Sequence, residues 1–147
     1  MEKVWVYGAL RVRDGQEVTL TAPSRNTVGY LRLLQAMDQA NPDGAVHVVM
    51  DNLSSHTSGP IQQWLATHPR FTQVPIPKGA CWLNLQEGWW RLFRKEALAG
   101  QTFADAAEIA QATTWATSRL NRRAKPWVWG RPPRRHRHLR RCFMYRL

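Results

Sequence analysis

A chain of 147 residues is one domain or a piece of one, and at 44% hydrophobic it can bury a real core. Its formal charge of +11 favours a polyanion partner, usually nucleic acid, but names no activity by itself. The two cysteines, Cys81 and Cys142, make no disulfide framework. The absence of a signal peptide or a run of about 18 uncharged apolar residues argues against secretion and a membrane span, so a reducing cytoplasm is expected.

In chain order, residues 3–13 and 16–22 are β-prone runs separated by Asp14-Gly15, a short hairpin signal that predicts two antiparallel strands. Pro23 and Ser24 break the pattern. Asn26 or Thr27 then caps a helix with apolar positions Val28, Leu31, Leu34 and Met37, which ends by Asn41-Pro42-Asp43-Gly44. Val46 to Met50 is an apolar run that suits a central strand covered on both faces. Gly59-Pro60 starts a short helix carrying Ile61, Trp64 and Leu65, and residues 71–76 read as another strand. From Leu85 the apolar spacing 85, 89, 92, 93 is helical until Gly100. Thr102-Phe103-Ala104-Asp105 resembles a capping box before an Ala-rich helix reaching about Leu120. The order ββαβαβαα indicates a mixed sheet flanked by helices.

Acidic residues stop at Glu108, and eleven Lys or Arg follow, so the last stretch is a basic arm. Such an arm is either simply solvated or grips phosphates in a salt-dependent way.

Two acids stand apart from the rest. Asp51 ends the Val46 run and Glu87 lies in the first turn of the helix that begins near Leu85. Placed so, two hard oxygen donors can hold Mg²⁺ or Mn²⁺, which in turn can activate a water and steady the leaving oxygen of a phosphodiester. Each acid also has a plain structural reading. Asp51 suits a turn after a strand, although open α/β sheets bind ligands outside the carboxyl ends of their strands. Asn84-x-x-Glu87 is itself a capping-box pattern. A hydrolase triad of His56 with Ser54, Ser55 and Asp51 lacks a nucleophile elbow. His47, His56, His68 and Cys81 show no zinc-type spacing. Of the eight tryptophans, Trp127 and Trp129 are the hardest to assign between core and nucleic-acid platform.

Taken together, the motifs resemble those of DDE-type transposases of bacterial insertion sequences related to the mariner elements. The likeness lies in Asp51, Asn52 and His56 after a hydrophobic strand, then Pro77, Ala80, Trp82, Leu83, Asn84 and Glu87. It continues through Trp89-Trp90-Arg91-Leu92-Phe93-Arg94-Lys95 and Phe103 to a late Asn-x-x-x-x-Pro-x-x-Trp pattern at Asn121, Pro126 and Trp129. The resemblance implies a ribonuclease-H-like α/β fold with a two-metal site (Mg²⁺ or Mn²⁺) held by three acids. Water bound to one metal cuts the element end, and the freed 3′-hydroxyl attacks target DNA. It makes Asp51 the second acid, bridging both metals, and Glu87 the third, with Asn52, His56 and Asn84 shaping the site.

The chain departs from the family pattern in two ways. Leu85 replaces the usual Pro after Leu-Asn, a minor change. The family's first acid lies on a strand before the one that starts at Lys3, and its amino-terminal helix-turn-helix region lies earlier still. Both are expected to be missing here. Asp14, Asp38 and Asp43 fall in turns, loops or helix ends and are no substitute. The expectation is therefore a partial ribonuclease-H-like catalytic domain over residues 1–124, lacking its first strand, and an Arg-rich arm over 125–147. DNA contacts are expected from Lys78, Arg91, Arg94, Lys95, Arg122, Arg123, Lys125, Arg134 and Arg135. The partners are element ends and target DNA, with a homo-oligomer and no membrane. The isolated chain is expected to be nearly inactive, and unpaired edges at residues 3–13 and Val46–Met50 to favour self-association. The alternatives are a non-catalytic nucleic-acid-binding remnant and, more weakly, a nuclease acting on RNA hybrids.

Overall fold

The computed structural model describes residues 3–51, 56–80 and 83–129. Strands β1 (Trp5–Leu10) and β2 (Glu17–Ala22) pair antiparallel, with Trp5 opposite Ala22 and Leu10 opposite Glu17. The connection is longer than the two-residue turn that Asp14-Gly15 suggests. Arg11 N–H donates to the Gln16 carbonyl and Gly15 N–H to the Arg11 carbonyl, and the Arg11 guanidinium grips Asp14 at 2.8 Å. That pair holds the Asp14 carboxyl below the usual carboxylate range, against a partial opposing effect of burial. Gly15 has φ +78 and sits against the Lys125 backbone, so a side chain there is excluded on both counts.

Helix α1 (Thr27–Ala40) starts where Asn26 Oδ1 accepts the Gly29 N–H at 3.0 Å, a cap that contributes about 1 kcal/mol. The helix buries Tyr30, Leu33 and Leu34. β3 (Val46–Met50) follows, then α2 (Gly59–Thr67) and β4 (Phe71–Pro75), which lies parallel to β3. β3 is not covered on both faces as its composition suggests. Val48 and Met50 point into the core, whereas His47 and Val49 are exposed.

Helix α3 (Gln86–Phe93) runs on into a π-helical turn, Arg94–Leu98, which Gly100 follows at φ +70. Trp89, Trp90 and Phe93 are its buried face, while Leu92, expected on that face, is exposed. Helix α4 (Ala106–Arg122) begins at Asp105, not Thr102. The Asp105 carboxylate accepts the Glu108 N–H at 2.9 Å and Glu108 accepts the Ala104 N–H at 2.7 Å, so the capping box is Asp105-x-x-Glu108.

Among the described residues these elements make a mixed α/β architecture of four α-helices and two small sheets, one antiparallel and one parallel, consistent with a ribonuclease-H-like fold. The core has two parts. One joins Tyr7, Ala22, the α1 face, Val48, Met50, Ile61 and Phe71. The other joins Trp89, Trp90, Phe93 and Ala97 to Ala116 and Leu120, with Val6, Leu10 and Trp127 packed against it. β1 thus sends alternate side chains to opposite cores, as a strand's two-residue period requires.

The late Asn-x-x-x-x-Pro-x-x-Trp pattern ties the chain together. Asn121 accepts the Glu17 N–H at 2.9 Å and donates to the Glu17 carbonyl at 3.0 Å, so one amide closes both groups of a strand residue. Trp127 N–H donates to the Val12 carbonyl at 2.9 Å, and its ring lies over Gly88, where a Cβ would collide with it. Trp129 Nε1 donates to the Leu83 carbonyl at 2.9 Å. Both tryptophans whose role the sequence leaves open therefore have structural contacts.

Candidate active site

Asp51 follows the last residue of β3 and is partly buried. His56 folds back beside it, its Nδ1 2.9 Å from the Asp51 carbonyl oxygen and 3.4 Å from Asp51 Oδ1. The His56 ring is buried and stacks on Tyr30 with centroids 4.1 Å apart. Gln73 on β4 completes the support, donating to the Tyr30 hydroxyl at 2.8 Å and to the His56 carbonyl at 3.0 Å. Burial pushes the Tyr30 hydroxyl up to about 12; the Gln73 hydrogen bond acts in the opposite sense and the Asp51 charge adds to the rise. Tyr30 and Gln73 were not singled out from the sequence. Tyr30 read as one more residue of an amphipathic helix, and its partner lies 43 positions away.

Glu87 lies in the first turn of α3 and is half-buried. The Asn84-x-x-Glu87 capping box does not form. The helix starts from Leu85 with no side-chain cap, and the Glu87 N–H donates to the Asn84 backbone carbonyl at 3.3 Å.

The chain around Asp51 and the chain just before Glu87 border one cavity, although neither acid itself lines it. Met50 and His56, on either side of Asp51, and Asn84 to Gln86, just before Glu87, line a single cavity. Two carboxylates are hard oxygen donors, the type a divalent cation such as Mg²⁺ prefers. Among the described residues no three His, Cys, Asp or Glu gather into a metal-sized cluster.

A buried polar pair lies behind the Glu87 turn. Gln86 donates to Glu17 Oε1 at 2.5 Å across Gly8, whose missing Cβ leaves the room. Burial pushes the Glu17 carboxyl well above the usual range, with the Gln86 hydrogen bond acting in the opposite sense. The other oxygens of the pair, Glu17 Oε2 and Gln86 Oε1, are buried without a hydrogen-bond partner.

Of the residues expected to touch DNA, Lys78, Arg91, Arg94, Lys95, Arg122, Arg123 and Lys125 are all exposed. Arg123 pairs with Glu96 and so fastens the end of α4 to the π-helical turn. Asn52, Arg134 and Arg135 lie outside the described residues, as do Cys81 and Cys142. Among the described residues no helix is long and apolar enough to cross a membrane.

A family model described as DDE superfamily endonuclease matches residues 1–110. The chain belongs to that family, and its domain is of the transposase-type nuclease class. A comparison with curated proteins returned no match.

Proposed function

We propose that this domain carries the second and third acids of an insertion-sequence transposase, Asp51 and Glu87, which hold divalent metal, Mg²⁺ or Mn²⁺ in a two-metal site, for cleavage and joining of DNA. The observation that supports this reading best is the convergence of the chain beside Asp51 and the chain beside Glu87 on one cavity. A cation held there would supply an activated water and charge stabilisation at the leaving oxygen. The protein's own part is to fix the acids. His56, stacked on Tyr30 and bonded to the Asp51 carbonyl, limits the directions Asp51 can take. Asn84 shapes the turn before Glu87 through its backbone carbonyl. The exposed bases Lys78, Arg91, Arg94, Lys95, Arg122 and Lys125, together with the basic arm of residues 125–147, supply the phosphate contacts, and the partner is DNA at element ends and target.

Mn²⁺ binding, read by water-proton relaxation, should weaken roughly ten-fold or more in Asp51→Asn and in Glu87→Gln. DNA binding read by anisotropy should persist in both variants and fall steeply with salt. Metal binding unchanged by both substitutions would sink the catalytic reading. It would leave the non-catalytic nucleic-acid-binding remnant as the reading.

A further inference from the structure

Behind the Glu87 turn, two buried side chains have unfinished hydrogen bonding. Glu17 is 4% exposed and Gln86 7% exposed, and Glu17 Oε2 and Gln86 Oε1 have no partner among the described residues. A buried oxygen without a donor is costly, and native interiors hold few of them. Here both belong to side chains that are already joined, since Gln86 Nε2 donates to Glu17 Oε1 at 2.5 Å. Glu17 Oε1, the Gln86 nitrogen and the edge of the Trp90 ring crowd the place where a Cβ on Gly8 would stand.

No cation answers the carboxyl group. Among the described residues none of the ion pairs includes Glu17. The Asn121 amide is engaged with the Glu17 backbone. An ionised carboxylate in this enclosure would be an uncompensated buried charge. It would also be an acceptor only, so it could not serve Gln86 Oε1. A protonated carboxyl group changes both facts, because it is neutral and carries one O–H donor. With the proton on Oε2, Glu17 donates to Gln86 Oε1 while Gln86 Nε2 donates to Glu17 Oε1, so one hydrogen satisfies both oxygens. Burial, which pushes this carboxyl well above the usual range, favours the same form.

The pair joins two elements just before Glu87. Glu17 is the first residue of β2, and Asn121 closes both of its backbone groups. Gln86 is the first residue of α3, a helix that starts from Leu85 with no side-chain cap. Two hydrogen bonds fix the plane of the Gln86 amide, whereas one would leave it free to turn. The uncapped first turn of α3 is thus anchored to the hairpin through the residue that precedes Glu87.

We infer that Glu17 and Gln86 form a neutral cyclic acid–amide pair, and that both are positioning residues for Glu87. The metal-ligand role of Glu87 rests on the proposed function; the pair itself does not.

The test uses the full chain. An infrared difference spectrum, wild type minus Glu17→Gln, should show a carboxylic-acid C=O band at about pH 7, where an ordinary glutamate is ionised. Glu17→Gln builds an amide–amide pair of the same shape. Hydrogen exchange in the first turn of α3 and Mn²⁺ affinity should therefore stay within about two-fold of wild type. Glu17→Leu removes both bonds. It should speed exchange of those amides roughly ten-fold and weaken Mn²⁺ binding about ten-fold. Absence of the acid band, or a Glu17→Gln protein that behaves like Glu17→Leu, overturns the pair. Exchange and Mn²⁺ affinity unchanged in Glu17→Leu, with Mn²⁺ binding lost in Glu87→Gln, overturn the positioning role. Mn²⁺ affinity indifferent to Glu87→Gln counts against the catalytic reading instead, and the exchange rates then decide whether the pair holds the turn.

Discussion

The β1–β2 hairpin and the β3–β4 pair are built from strands of similar length, yet they are covered differently. β1 is clasped between α1 on one face and the tryptophan cluster of α3 and α4 on the other. β3 is covered by α1 and α2 on one face only, and His47 and Val49 remain exposed on the other. The difference separates two tasks. Burial on both faces gives the hairpin its fixed position, while the open face of β3 leaves space beside Asp51 for a ligand. Under the proposed function the site has to admit DNA, and it could not be packed as the hairpin is.

Substitutions on the two sides should separate that contrast by size. Trp89→Ala removes a fully buried indole from the aromatic cluster and should cost about 3–5 kcal/mol, read by urea denaturation. Asn121→Ala leaves both backbone groups of Glu17 without their amide partner and should cost about 1–3 kcal/mol in the same assay. Glu17 gives the hairpin a pH dependence. The folded chain keeps the Glu17 proton to higher pH than the unfolded chain, whose carboxyl titrates near 4.5. The folded state therefore binds more protons above that pH, and this contribution to stability is lost as pH rises. In Glu17→Gln the decline with pH should flatten, and an unchanged slope in thermal melts would show that the carboxyl is not buried as described. On the open face, Val49→Thr should change stability by no more than about 0.5 kcal/mol. A larger loss there would mean that β3 is covered after all.

What the sequence conveys well is local. The strand at Val46–Met50, the Asn26 cap and the Pro-Gly stop after α1 depend on neighbouring residues, and they stand where their signals put them. What it conveys poorly depends on distant partners. The coverage of β3 could not be read from its composition, because an apolar strand looks the same whether one face or two are packed. The start of α3 at Leu85, rather than at an Asn84 cap, follows from the turn that brings residues 83–86 to the cavity wall. The Glu17–Gln86 pair spans 69 positions, and its sequence trace is only a glutamate in an otherwise β-prone run. Asp51 and Glu87 were legible as candidates because each sits at an element end, and a strand end and a helix start are where open α/β folds put ligands. The Tyr30 and Gln73 support of His56 left no such mark.

The segment from Lys125 to Trp129 is pinned at Val12 and at Leu83, and Trp129 sits at the cavity wall. The seven arginines from Arg131 to Arg146 follow this anchored segment in the sequence, and the anchor at Leu83 lies four residues before Glu87. Under the proposed function, a nucleic-acid backbone held by an arm tethered at that anchor would stay at high local concentration around the domain, so that a weak grip would serve where free diffusion would not.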